Sequence, residues 1–106
     1  MEGCIKILTQ ELRRKIPKFH ATESELDPMV ICKFFTPDAG WTWYVIEFDG
    51  KDTFFGYVIG IEPELGDFTL SELLKVRGVL GLPVERDLWF KPIRLSEVKK
   101  LHNIRQ

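Results

Sequence analysis

The sequence is short of the residues from which most compact catalytic sites are built. Its 106 residues include two histidines and two cysteines. His20 falls in a loop-like stretch and His102 near the C-terminal end. No serine sits in a Gly-x-Ser-x-Gly elbow, and Ser24, Ser71 and Ser96 read as capping or turn residues. Nucleophilic catalysis of the serine or cysteine type therefore lacks its parts. Cys4 and Cys32 have no metal-ligand spacing, and Cys32, inside an apolar run, reads as a small buried hydrophobe.

Long apolar runs are also missing. No stretch approaches about 18 apolar residues, which excludes a spanning helix and a membrane partner of that kind. Ile5, Ile7 and Leu8 are followed at once by polar and charged residues, too soon for a signal peptide. A reducing cytoplasm is the expected setting. Nor is there an excess of one charge: 15 basic residues stand against 16 acidic, net −1. That excludes a polycation coating nucleic acid. Hydrophobic residues at 44% and charged residues at 29% exclude a disordered or low-complexity chain. The length fits one domain with one core, residues 1–106.

What is present is unevenly distributed. Residues 1–28 are neutral overall. Residues 29–67 carry two basic and seven acidic groups, net −5; residues 68–106 carry eight basic and four acidic, net +4. Nine of the thirteen aromatics fall within residues 34–57, inside the acidic segment. Stacking on single-stranded nucleic acid needs rings with positive charge beside them, so the aromatic segment suits a protein partner better than a phosphate backbone.

Local signals are dense. Thr9 precedes a helical run, Gln10 to Ile16, that Pro17 ends. Residues 18–28 read as a loop. Three strands follow, Met29–Phe35, Trp41–Asp49 and Thr53–Ile61, separated by the turn clusters 36–40 and 49–52. Apolar residues on both faces imply a sheet covered at least in part on both sides. Thr69 with Glu72 forms a capping box and Phe68 with Leu73 a hydrophobic staple, predicting a helix over about 70–77 with Gly78 as its C′ residue. Glu85–Lys91 reads as a fourth strand, and Ser96 as the cap of a helix Glu97–Asn103. The expected fold is α+β: an antiparallel meander of three to four strands with three short helices.

Closing the second hairpin over residues 49–52 sets Phe48 opposite Thr53, Ile46 opposite Phe55, Tyr44 opposite Tyr57 and Thr42 opposite Ile59. With Phe34, Cys32 and Val30 these form one apolar face, the expected core. The other face then carries Trp41, Trp43, Val45 and Glu47, with Phe35, Lys33 and Ile31 beside them and Phe54, Gly56, Val58 and Gly60 from the third strand. Glycine inside a strand marks close approach of backbone or ligand. Gly60 opposite Trp41 and Gly56 opposite Val45 point either to an aromatic-walled groove or to a helix packed over the glycines.

Three chemistries follow. The first is a partner-binding surface of Lys33, Trp41, Trp43, Glu47 and Phe54, with Arg86 near it; an ion pair between Arg86 and a neighbouring strand is the plainer reading of that residue. The second is a hard cation held by Glu47, Asp49 and Asp52, which the turn geometry brings near one another; solvated turn carboxylates explain the same residues without a metal. The third is nucleic-acid binding by the C-terminal bases Lys91, Arg94, Lys99, Lys100 and Arg105. No catalytic set and no cofactor is implied.

The runs Lys33-Phe34-Phe35-Thr36-Pro37, Trp41-Thr42-Trp43-Tyr44 and Glu47-Phe48-Asp49 resemble those of domain-of-unknown-function family 2958. So do Phe54-Phe55-Gly56, the stretch from Glu64 to Leu70, Arg77-Gly78, and Gly81 to Asp87. Leu8-Thr9, Leu12 and Ile16-Pro17 resemble its N-terminal start. The likeness covers nearly the whole chain in order, departing in the loop 19–28 and the basic tail. It implies a small single-domain bacterial protein of plasmids, integrative elements or phages. It implies no catalytic residues. The expected function is that of a non-enzymatic accessory protein of a mobile element that binds a protein partner, with nucleic-acid binding and metal-dependent chemistry on nucleic acid or nucleotides as alternatives.

Overall fold

In the computed structural model, which describes residues 7–103, the elements run α1 (Gln10–Lys15), β1 (Met29–Val30), β2 (Cys32–Phe35), β3 (Thr42–Phe48), β4 (Thr53–Ile59), β5 (Pro63–Thr69), α2 (Leu70–Lys75), β6 (Glu85–Arg86), β7 (Ile93–Arg94) and α3 (Leu95–Asn103). Five strands form one antiparallel sheet in the order β5-β4-β3-β2-β6, and β1 pairs with β7 in a separate ladder. Cys4 lies outside the described residues.

The fold is α+β with three helices, but three to four strands is too few. β5 escapes a sequence reading because it contains Pro63, Gly66 and two acidic residues, all disfavoured in strands. It forms because it pairs with β4 along its whole length, from Ile59↔Pro63 to Thr53↔Thr69, and delivers Phe68 to the core. The strand expected over Glu85–Lys91 shortens to Glu85–Arg86, because the Asp87 carboxylate accepts the Trp89 N–H at 2.9 Å and turns the chain.

Local capping starts α1 and α2 where the sequence puts them. The Thr9 hydroxyl accepts the Leu12 N–H at 3.1 Å. Thr69 and Glu72 make the full capping box. α2 stops at Lys75 rather than Arg77, since Val76 turns extended and returns its N–H to the Leu73 carbonyl. Gly78 is therefore not a helix-terminal residue; a Cβ there would enter the Asp38 carboxylate, whose Oδ2 accepts the Leu80 N–H at 2.7 Å. α3 begins at Leu95 and is capped from a distance: Asp27 accepts the Ser96 N–H at 2.8 Å and its hydroxyl at 2.7 Å.

The sheet is covered on both faces. On one, Phe34, Trp43, Val45, Phe48, Phe54 and Phe68 pack with Leu73 of α2 and with Ile7, Leu8 and Ile16 of the N-terminal segment. On the other, Tyr44, Ile46 and Tyr57 pack with Val30 and with Leu95 and Val98 of α3. Two expectations about these faces are corrected. The first hairpin pairs Phe34 with Trp43 and Cys32 with Val45, which moves Phe34 and Cys32 to the α2 face. In the second hairpin, Thr42↔Ile59 and Tyr44↔Tyr57 pair as the sequence suggests, but a bulge between Val45 and Glu47 shifts the register to Glu47↔Phe55 and Phe48↔Phe54. One extra residue reverses the facing of everything after it. Phe48 thus joins the α2 face, stacked on Phe54 at 4.5 Å, and Glu47 leaves it.

Gly56 lies beside this bulge. A Cβ on it would drive into the Tyr44 carbonyl, a backbone group that cannot swing aside. Gly66, its partner on β5, has nothing within 4 Å of a Cβ position. Gly56→Ala is expected to cost about 3 kcal/mol or more, lowering the thermal midpoint by ~10 °C or more. Gly66→Ala should change stability by less than about 1 kcal/mol. Thermal unfolding of the two variants, followed by circular dichroism, checks the contrast.

Candidate functional site

A broad concavity lies on the α2 face, between the start of β3 and helix α2. Its first wall is built locally. Thr36 closes the turn before β3, its hydroxyl accepting the Trp41 N–H at 2.9 Å and its own N–H reaching the Trp41 carbonyl at 2.9 Å. Gly40 supplies the left-handed backbone this turn needs, at φ 77°. Trp41 is thereby held against Trp43, ring centroids 6.0 Å apart and 25° from parallel. Val58, Gly66 and Phe68 form the floor, and Leu73 and Val76 of α2 the far wall. The groove has about 670 Å³ of room.

Its charge is of one sign. Glu62, Glu64, Asp67 and Glu72 line it, with no lysine, arginine or histidine among the described residues. Glu72 is engaged by the capping box, accepting the Thr69 N–H at 3.0 Å. Among the described residues, Glu62, Glu64 and Asp67 form no ion pair. Three carboxylates beside an exposed indole form a surface that attracts cations by charge and by the ring face.

The structure divides the expected partner-binding set. Trp41, 40% exposed, and Trp43, 6% exposed, stand at the groove. Gly60 serves the wall rather than the floor, because the Trp41 ring occupies the place of its missing Cβ. Phe54 belongs to the core, at 0% exposure between Phe48 and Phe68. Lys33 is paired across from Tyr44, with its ammonium over that ring and 3.7 Å from Asp87. Arg86 sits on β6, at the opposite edge of the sheet from β5. Glu47 is turned to the α3 face by the bulge.

Glu47 also leaves the proposed metal set. Its Oε1 accepts the His20 N–H at 3.0 Å; its Oε2 accepts the Thr22 N–H at 3.0 Å and the Thr22 hydroxyl in a short bond. Asp49 Oδ1 accepts the N–H groups of Lys51, Asp52 and Thr53 at 2.8, 2.9 and 3.1 Å. Asp52 caps α2 through the Ser71 N–H and hydroxyl, at 2.9 and 2.7 Å. Each carboxylate is directed to a different part of the backbone. Among the described residues no three acidic, histidine or cysteine side chains converge as a metal site.

The C-terminal bases are dispersed. Lys99 lies over the Tyr57 ring at 5.7 Å, Arg94 reaches Glu25 at 3.9 Å, and Lys100 reaches Glu97 at 3.3 Å. Lys91 is exposed, and Arg105 lies outside the described residues. His102 accepts or donates a 2.7 Å bond with the Tyr44 hydroxyl, fixing α3 to the sheet. Burial, and then Lys33, lower the His102 pKa, favouring the neutral ring. No helix among the described residues is long and apolar enough to cross a membrane.

Sequence reasoning missed Glu62, Glu64, Gly66 and Asp67. All four belong to β5 or the turn before it. The signal was there as charge: these are three of the seven acids in the −5 segment. Nothing local, however, told a polar turn from a polar edge strand.

Glu47 generates a pH prediction. Burial pushes its carboxyl up, but the Thr22 hydroxyl and the His20 and Thr22 amides push it down further, and it rests below its ordinary value. Its stabilising contribution is therefore complete above the ordinary carboxylate pKa of the unfolded chain and is lost as pH falls through the lower folded value. Glu47→Gln replaces one acceptor oxygen by an amide donor facing N–H groups, at a cost of about 1–3 kcal/mol at pH 7. Urea unfolding between neutral pH and pH 3 should show the gap between wild type and variant closing on the acid side.

Compared with known proteins, the chain matches no curated protein and no solved structure. The family model described as Protein of unknown function (DUF2958) matches residues 7–103, nearly the whole sequence, and the chain belongs to that family.

Proposed function

We propose that this protein is a non-enzymatic interaction module that holds a protein partner in the groove between Trp41 and α2. The setting is that of an accessory protein of a bacterial mobile element, as the family resemblance implies. The observation that carries the reading is the placing of an exposed indole beside carboxylates that form no ion pair among the described residues. An exposed tryptophan in a concave site is the kind of anchor on which binding energy concentrates. Carboxylates at the rim supply steering and sign selectivity for a positively charged partner surface.

The site residues of this reading are Trp41, Trp43, Glu62, Glu64 and Asp67. They differ from the sequence-based set because Phe54 and Glu47 work inside the fold, Lys33 is engaged by Tyr44 and Asp87, and Arg86 lies at the opposite sheet edge. Trp41 is the residue to mutate: it is open to solvent, whereas Trp43→Ala would empty a buried site at about 3–5 kcal/mol and confound binding with folding.

Capture of a partner from the native cell, quantified by mass spectrometry, tests the proposal. Trp41→Ala is expected to weaken retention of that partner about thirtyfold, and Glu64→Lys about tenfold with a steeper salt response. Both variants should keep the wild-type circular dichroism spectrum. Retention unchanged by both substitutions, in proteins that are folded, overturns the groove as the binding surface.

A further inference from the structure

The two edges of the sheet are unlike. β6, at one edge, has two residues and ends in the Asp87 turn. β5, at the other, runs seven residues, and among the described residues β4 is its only strand partner. A long free edge offers a row of unpaired backbone N–H and C=O groups to any extended chain. Shortening closes the first edge to such pairing; among the described residues no strand covers the second.

β5 also stands between two hollows. Its residues alternate across the sheet. Glu64, Gly66 and Phe68 pair with Val58, Gly56 and Phe54 and line the Trp41 groove. Leu65 and Asp67 pair with Tyr57 and Phe55 on the α3 face. There a second hollow, about 490 Å³, is bounded by Leu65, Leu26, Phe55 and Ile46. Asp67 borders both hollows. A strand laid along β5 would send alternate side chains into one hollow and then the other, the arrangement by which strand addition gains specificity.

Charge selects the occupant. Glu62, Glu64 and Glu72 line the first hollow, Glu23 and Glu25 the second, and Asp67 both. At the second hollow the charges are engaged within the fold, Glu23 with His20 at 3.1 Å, Glu25 with Arg94 at 3.9 Å, Glu47 with backbone N–H groups and Lys99 over Tyr57, so the selecting charge is that of Glu62, Glu64 and Asp67. A second copy of this edge would bring Glu64 and Asp67 against their own kind, so self-pairing is disfavoured.

From these observations we infer that the protein binds by strand addition: an extended, basic segment of the partner joins the sheet at β5, with side chains placed alternately in the two hollows. This rests on the groove as the partner surface and specifies how the partner enters it.

The test uses the full-length protein and synthetic eight-residue peptides of alternating arginine and valine, read by fluorescence anisotropy. Only one edge of an added strand bonds to the sheet, so N-methylation of alternate amides has a directional effect. Methylating one set should weaken binding about tenfold or more, through loss of several backbone hydrogen bonds; methylating the other set should leave it nearly unchanged. Equal binding by both methylated peptides and the parent overturns strand addition while leaving the groove as a charge-selective site. Equal loss in both also overturns it. Failure of the parent peptide to bind at millimolar concentration, or equal binding by an alternating glutamate–valine peptide, overturns both readings.

Discussion

One extra residue in β3 organises the rest of the molecule. The bulge between Val45 and Glu47 changes which way the strand faces halfway along. Before it, Trp43 and Val45 face α2; after it, Phe48 takes over that role and closes the stack with Phe54 and Phe68. The same step sends Ile46 and Glu47 to the α3 side, where one fills the core and the other gathers the backbone of residues 20–22. Gly56 allows the two strands to approach at this place, because its missing Cβ leaves room for the Tyr44 carbonyl. Without the bulge, a glutamate would face the aromatic stack and a phenylalanine the polar loop.

The acidic residues of the middle segment divide in a way that gives the surface its meaning. Asp38, Glu47, Asp49 and Asp52 each accept backbone N–H groups and tie a loop or helix start to the sheet. Such bonds to an ionised acceptor are among the stronger hydrogen bonds, and they use the charge within the fold. Glu62, Glu64 and Asp67 have no such duty and collect on or beside β5, next to Trp41. The net −5 of residues 29–67 is thus two populations, one structural and one facing outward.

Much of the local structure was legible. The caps at Thr9 and Thr69 depend on residues three apart in sequence and so survive any change of surroundings. Gly56 lies opposite Val45 as expected, but only because the bulge offsets a turn one residue shorter than the four assumed, and the Trp41 ring lies over Gly60. What the two glycines do was not legible. Gly60 houses the indole instead of a ligand, and Gly56 meets backbone. β5 was invisible because an edge strand with one covered face tolerates proline, glycine and acids that a central strand would not. Ser96 is not the cap the sequence suggests: it lies inside α3 and donates to Asp27, 69 residues away.

The amino-acid sequence by itself determined the class, the starts of α1 and α2, the aromatic sheet and the acidic bias of its middle, because each is set by neighbours in the chain or by composition. Only the tertiary structure decided which face each side chain serves. A strand has period two, so a one-residue bulge or a one-residue change of hairpin register exchanges inside for outside. That exchange brought Phe48 onto Phe54 and turned Glu47 into the fold, while the return of β5 set Trp41 beside carboxylates more than twenty residues further along the chain. The groove exists because β5 returns to β4, and that return depends on pairing along the whole strand rather than on any short motif.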